Sequence, residues 1–166
     1  MRFGELLRVT VLASAGSATL LATVTILSVG GRDDPVLVYV SLAWWLSAVV
    51  LGLRLGRGDA ATQPIRRLLA EARHQPGLPE LRPASTLLNR LWALLAVTFV
   101  AGALAFVIPQ VASIAAGFAI IWALAWRRQN HAVTAIEERD GVRFYVDRTS
   151  PFAPIRLIRT PGFRSD

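Results

Sequence analysis

The chain has no cysteine and no lysine, and its 166 residues include only two histidines and one methionine. Without cysteine there is no disulfide, no thiol nucleophile and no thiolate metal site. His74 and His131 stand on separate segments with no clustered ligands, so no metal-binding residue is expected. The phosphate- and dinucleotide-binding patterns GxxxxGK[ST] and GxGxxG are absent, as are HExxH and GxSxG. No cofactor and no catalytic residue is therefore expected. The one acidic grouping, Glu137, Glu138 and Asp140, is interleaved with Arg139 and Arg143 and reads as a solvated charged turn rather than an acid–base pair.

Charge is scarce as well. Charged residues make up 17% of the chain and hydrophobic ones 54%, against roughly a quarter charged in ordinary soluble domains. Three stretches carry no charge at all: 9–31, 35–53 and 91–126. About 20 apolar residues cross a hydrocarbon core ~30 Å thick, so the first two stretches each fit one crossing. The third would make a helix of about 54 Å at ~1.5 Å per residue, the length of two crossings. Pro109 lies near its middle, where it ends one helix and suits the first turn of the next. The expected fold is an all-α integral membrane protein. Its four transmembrane helices, about 9–29, 36–53, 86–107 and 110–127, form two antiparallel hairpins in a bundle over 1–128. The 129–166 tail follows. No charged residue lies well inside these spans, which argues against proton relays, ion-coupled transport and intramembrane hydrolysis.

What charge there is has a pattern. Of the 18 arginines, Arg2 and Arg8 precede the first span, seven lie between 54 and 90, and eight lie from Arg127 onward. Only Arg32 falls in the loop between the first two spans. This is a strong positive-inside bias, and it puts both termini and the middle loop on the cytoplasmic side. The same bias accounts for the net charge of +7 through topology and anionic headgroups, so no nucleic-acid partner is expected. The first apolar stretch exceeds the ~7–15 residues of a signal-peptide core and has no convincing cleavage site, so it reads as a retained span. Arginine used to the exclusion of lysine suggests high-GC coding, hence a bacterial plasma membrane.

Within the spans, Thr10, Ser14 and Ser17 begin a stripe of mostly hydroxyl residues that continues through Leu21 to Thr25 and Ser28. It lines either a polar path or, more in keeping with membrane helix interfaces, a packing seam. Trp44 and Trp45 sit at mid-depth in the second span, where packing with the indole N–H bonded to Ser41, Ser47 or a first-helix hydroxyl outweighs a ligand pocket. Ala112, Ser113, Ala116 and Gly117 give the fourth span a small-residue face. Phe118, Trp122 and Trp126, followed by Arg127 and Arg128, make an interfacial anchor.

In the middle loop, Thr62 as cap and Pro64 in the first turn predict an amphipathic helix over about 63–74, ended by Pro76-Gly77. It would lie in the headgroup region with Arg66, Arg67 and Arg73 exposed to anionic lipid, as Arg127 and Arg128 would be. The third span would be capped by Ser85. In the tail, Asp140-Gly141 and the alternation of VRFYV predict a β-hairpin over about 132–148, with IRLIRT as a third extended piece. Alternation would put Phe144 on one face and Tyr145 on the other, one docking and one meeting solvent. Phe144, Tyr145, Arg156 and Arg159 are thus candidates for contact with a membrane-protein partner or a second copy. The functional expectation is a non-catalytic accessory or scaffolding subunit. The alternative is a small transporter, channel or lipid-binding bundle for neutral or amphiphilic molecules.

Overall fold

The computed structural model describes residues 1–30, 35–55, 63–74, 83–147 and 155–161. In chain order it runs α1 (Phe3–Gly30), α2 (Pro35–Leu55), α3 (Gln63–Ala70), β1 (Arg73–His74), α4 (Pro83–Leu104), α5 (Pro109–Asp140), β2 (Val142–Val146) and β3 (Leu157–Pro161). Among the described residues, α1, α2, α4 and α5 are long and apolar enough to cross a membrane. The chain divides into two compact units. One is made of Met1–Val9, Gly58–Trp92 and Arg127–Asp166, the other of Thr10–Arg57 and Ala93–Trp126. The divisions between Val9 and Thr10 and between Trp126 and Arg127 fall where charge-free stretches begin and end.

The helical unit is assembled from two hairpins. Four residues link α4 to α5, with the Val107 and Ile108 N–H groups both donating to the Leu104 carbonyl. Contacts between hairpins advance in the same direction along both partners, so α1 runs parallel to α4 and α2 parallel to α5. Thr98 donates its hydroxyl to Ser17 Oγ at 3.0 Å, and Leu21 comes against Gly102 one turn on. Ser113 donates to Ser41 Oγ at 2.8 Å. Further along, a Cβ at Gly52 would come within 2.9 Å of Leu124 Cβ. Leu21, Ala101, Ala105, Ala112 and Ala116 close the core between these polar pairs, with Val24 and Trp45 packed beside them. Four alanines against one leucine let the backbones approach closely, the usual device where burial from water drives nothing.

Both tryptophans of α2 pack, as expected, but their donors go elsewhere. Trp45 Nε1 donates to the Ser113 carbonyl at 3.0 Å and Trp44 Nε1 to the Ile114 carbonyl at 3.3 Å. The expected hydroxyl partners are otherwise engaged: Ser41 accepts from Ser113, and Ser47 donates to the Ala43 carbonyl. Trp44 lies on Gly117, where a Cβ would fall on the indole ring, and meets Phe118 edge-on at 5.6 Å between centroids.

Several expected boundaries move. α1 begins at Phe3 and not near residue 9, its first residues belonging to the mixed unit. α4 begins at Pro83 and ends at Leu104, so Ser85 lies inside the helix and does not cap it. Proline's fixed φ suits the first helical position and supplies the start. α3 stops at Ala70, four residues early, because Arg73 and His74 leave the helix to pair with β3. Thr62 and Pro76-Gly77, expected as its cap and stop, lie outside the described residues.

The expected hairpin over 132–148 does not form. α5 continues through that stretch to Asp140, with Ala132 and Val133 buried on one face and Thr134 donating to the Asn130 carbonyl. Gly141 takes φ 61°. A positive φ at glycine serves a hairpin turn and a helix C-cap equally well, and here it ends a helix.

We expect Gly117→Ala to displace the Trp44 indole from α5 and to destabilise the helical unit by about 1–3 kcal/mol, the usual effect of overpacking. Thermal unfolding of the purified protein in detergent, followed by tryptophan emission, checks this. An unchanged midpoint with unchanged emission would show that Trp44 does not pack on that glycine.

Candidate functional site

The mixed unit draws together three segments that long helices separate in sequence. Its sheet has the order β1-β3-β2, so the strand nearest the C-terminus is central. β3 pairs in parallel with β1, Arg73 opposite Ile158 and His74 opposite Arg159. It pairs antiparallel with β2, from Val142 opposite Pro161 to Val146 opposite Leu157. The N-terminal residues extend the far edge: Arg2 bridges Tyr145, and the Val146 N–H donates to the Met1 carbonyl at 3.0 Å. The third extended piece of the tail is thus present, but it reaches the middle segment and not residues 132–138.

Opposed residues on paired strands share a face, so Phe144, Val146 and Leu157 lie on one side and Tyr145, Ile158 and Thr160 on the other. All six are buried. The expectation that Phe144 or Tyr145 meets solvent is therefore overturned: both serve the unit's core, since the sheet is covered on both faces. Of the docking candidates on the tail, Arg156 is exposed and Arg159 is half-buried opposite Phe144.

α3 contributes to the same unit. Ile65, Leu69 and Ala72 are 5%, 8% and 8% exposed, whereas Arg66 and Arg67 are exposed. The apolar face expected in the headgroup region is already covered by protein. Arg73 belongs to β1 and no longer to this helix. Arg127 and Arg128 are exposed on α5.

Where α5 gives way to β2, the Phe144 N–H donates to Glu137 Oε1 at 3.0 Å, across the Gly141 turn. Burial pushes the Glu137 carboxyl above the usual glutamate range. The Phe144 N–H, Arg143 and Arg2 act in the opposite direction and do not cancel it, and Glu138 adds to the upward shift. This clip escaped the sequence reading because its seven-residue span bridges two element types. The carboxylate was visible there only as a member of a charged turn. Nearby, Arg139 and Asp140 pair at 2.8 Å on the surface. Among the described residues no group of three His, Cys, Asp or Glu is placed to hold a metal ion.

Most of the hydroxyl stripe of α1 faces inward. Ser14, Ser17 and Thr25 are buried, Ser17 accepts from Thr98, and Thr25 donates to the Leu21 carbonyl at 2.8 Å. Ser14 Oγ is buried with no partner among the described residues, and Thr10 is half-buried. Leu21, 1% exposed within the alanine core, interrupts the line between Ser17 and Thr25. A continuous polar path along this face would have to pass it.

Because folding raises the Glu137 value, the stability this group supplies is complete below the ordinary glutamate range and is lost as pH rises through the raised value. Glu137→Gln keeps an oxygen for the Phe144 N–H and removes the titration. We expect the variant to gain stability relative to the parent as pH climbs from acid through the raised value, and then to hold a constant difference. Parallel thermal unfolding curves of the two proteins across pH check this, and a difference that does not vary with pH would contradict it.

The chain matches no protein-family model, no curated protein and no solved structure.

Proposed function

We propose that the chain is a four-span plasma-membrane protein, non-catalytic, that serves a larger membrane assembly as an accessory or scaffolding subunit through its mixed unit. The observation that carries this is the shared sheet. Arg2, β1, β2 and β3 come from the N-terminal segment, the middle loop and the tail, and backbone hydrogen bonds join them. Segments hydrogen-bonded to one another stand on one side of any bilayer the intervening helices cross. The helices between Arg2 and β1 must then cross an even number of times, and so must those between β1 and β2. Two hairpins of two spans satisfy this, and they agree with the arginine bias, which assigns the same three segments to the cytoplasm.

The surfaces of the long helices suit hydrocarbon. Phe99 is 78% exposed, Leu27 73% and Leu46 68%, large apolar side chains of a kind that water-soluble surfaces carry singly and not along whole helices. A folded unit whose strands come from separate segments of the chain supports a role in holding another protein. With Phe144 and Tyr145 buried, the contact surface assigned to the described part of the tail is Arg143 and Arg156, since the third exposed arginine, Arg139, is paired with Asp140.

A cysteine-free chain makes the topology directly testable with single cysteines and a membrane-impermeant thiol reagent. We expect Glu5→Cys, Glu71→Cys and Glu138→Cys to stay unlabelled in intact cells and to label after permeabilisation, and Gln110→Cys to label in intact cells. Labelling that divides the first three between the two sides would refute the shared-side arrangement. The scaffolding role is tested by affinity purification in mild detergent. A specific partner should accompany the parent and be lost from Arg143→Glu/Arg156→Glu, and recovery of the bare protein would sink that role.

A further inference from the structure

We propose that the mixed unit binds the phosphate groups of anionic lipids through arginines held on its folded surface, centred on Arg66 and Arg67, and does so without inserting α3 into the bilayer. This rests on the membrane reading above and adds a ligand to it.

The first argument is the orientation of α3. An amphipathic helix binds a bilayer by burying its apolar face there, and the face bearing Ile65 and Leu69 is already covered by protein. What α3 presents outward is the adjacent pair Arg66 and Arg67, both exposed, with no ion pair to another described residue. Their backbone is fixed by the buried side of the helix, so less is lost in ordering them on a ligand.

The second argument is charge. Among the described residues of this unit, nine arginines are exposed against four acidic residues, and Arg139 is already neutralised by Asp140. The surface therefore carries a positive excess that its own acids cannot match. Every cation is a guanidinium, whose planar fork fits phosphate oxygens two at a time where an ammonium acts as a point charge. The third argument is proximity along the chain. Arg8 directly precedes one charge-free stretch and Arg127 directly follows another, so a membrane that receives those stretches brings its headgroups to this unit at high effective concentration. That favours a lipid phosphate over a soluble polyanion.

The test uses the full-length protein in detergent, titrated with short-chain phosphatidylglycerol and with phosphatidylcholine of the same acyl length. Phosphatidylglycerol should bind at least about tenfold more tightly, and added salt should weaken it. Arg66→Ala/Arg67→Ala should weaken it about 25-fold, from about fivefold per arginine at a membrane surface. Arg66→Lys/Arg67→Lys should lose less, because the charge stays, and Arg139→Ala should change little. Equal binding of the two lipids, or indifference to the double alanine variant, overturns the proposal. Displacement of the lipid by equimolar inorganic phosphate also overturns it, by showing a site for free phosphate. Amide exchange across 65–72 should be no faster in phosphatidylglycerol than in detergent alone, since unfolding of α3 to reach the bilayer would contradict recognition by a folded surface. Release of the protein from membranes by alkaline carbonate would defeat the membrane reading itself, a result separate from any of these.

Discussion

Strand β3 is bonded along both edges, to β1 from the middle segment and to β2 from the tail, and the rest of the mixed unit depends on that ladder. A two-residue strand such as β1 has no stability alone, and a two-stranded hairpin is marginal in water. Placing the C-terminal strand centrally lets one five-residue segment satisfy backbone groups on both neighbours. Each bond contributes only about 0.5–1.5 kcal/mol net. The larger contribution comes from what the ladder holds in place, since fully burying a side chain such as Phe144, Val146, Leu157 or Ile158 stabilises by about 1.5–3 kcal/mol. The same ladder sets the topological constraint, because it ties segments on either side of α1–α2 and of α4–α5 to a common side.

What could be read from the sequence was what local pattern determines. Charge-free stretches gave the number of long helices, and Pro109 gave the break between the last two. Misreadings arose where one local signal serves two structures. Asp140-Gly141 marks a residue free to take positive φ, a property shared by a hairpin turn and a helix end. Only the burial of Ala132 and Val133 against the unit decides between them. VRFYV alternates as a half-buried strand would, yet Phe144 and Tyr145, on opposite faces, are both buried. Arg73 is spaced to continue α3, and it leaves the helix for a ladder with β3, whose residues lie far downstream. Local propensity is worth tenths of a kcal/mol per residue and yields to such pairing.

The helical unit shows how polar groups can join apolar helices. Two hydroxyl pairs and two indole donors link one hairpin to the other. Where apolar burial drives no association, bonds of this kind and close backbone approach supply it. The indoles reach carbonyls already engaged within α5, using a second lone pair, which leaves the helix ladder intact. Ser14 departs from this pattern, being buried without a partner among the described residues, while Ser17 and Thr25 are engaged on either side of the buried Leu21.

These placements also shift where recognition can occur. In the sequence the tail's aromatics were the natural docking surface, since exposed aromatics anchor interfaces. Folding spends them on the core, and it likewise spends the apolar side of α3. Two amphipathic elements that each offered a greasy face to lipid or partner are thereby paired with the unit's interior. Among the described residues, the outward faces that remain carry an excess of guanidinium groups. Such a surface gains little from apolar burial and much from phosphate or carboxylate geometry. Under the function proposed above, partner choice would rest on charge and shape rather than on hydrophobic insertion, and recognition would weaken with ionic strength whether the ligand is a headgroup or an acidic protein surface.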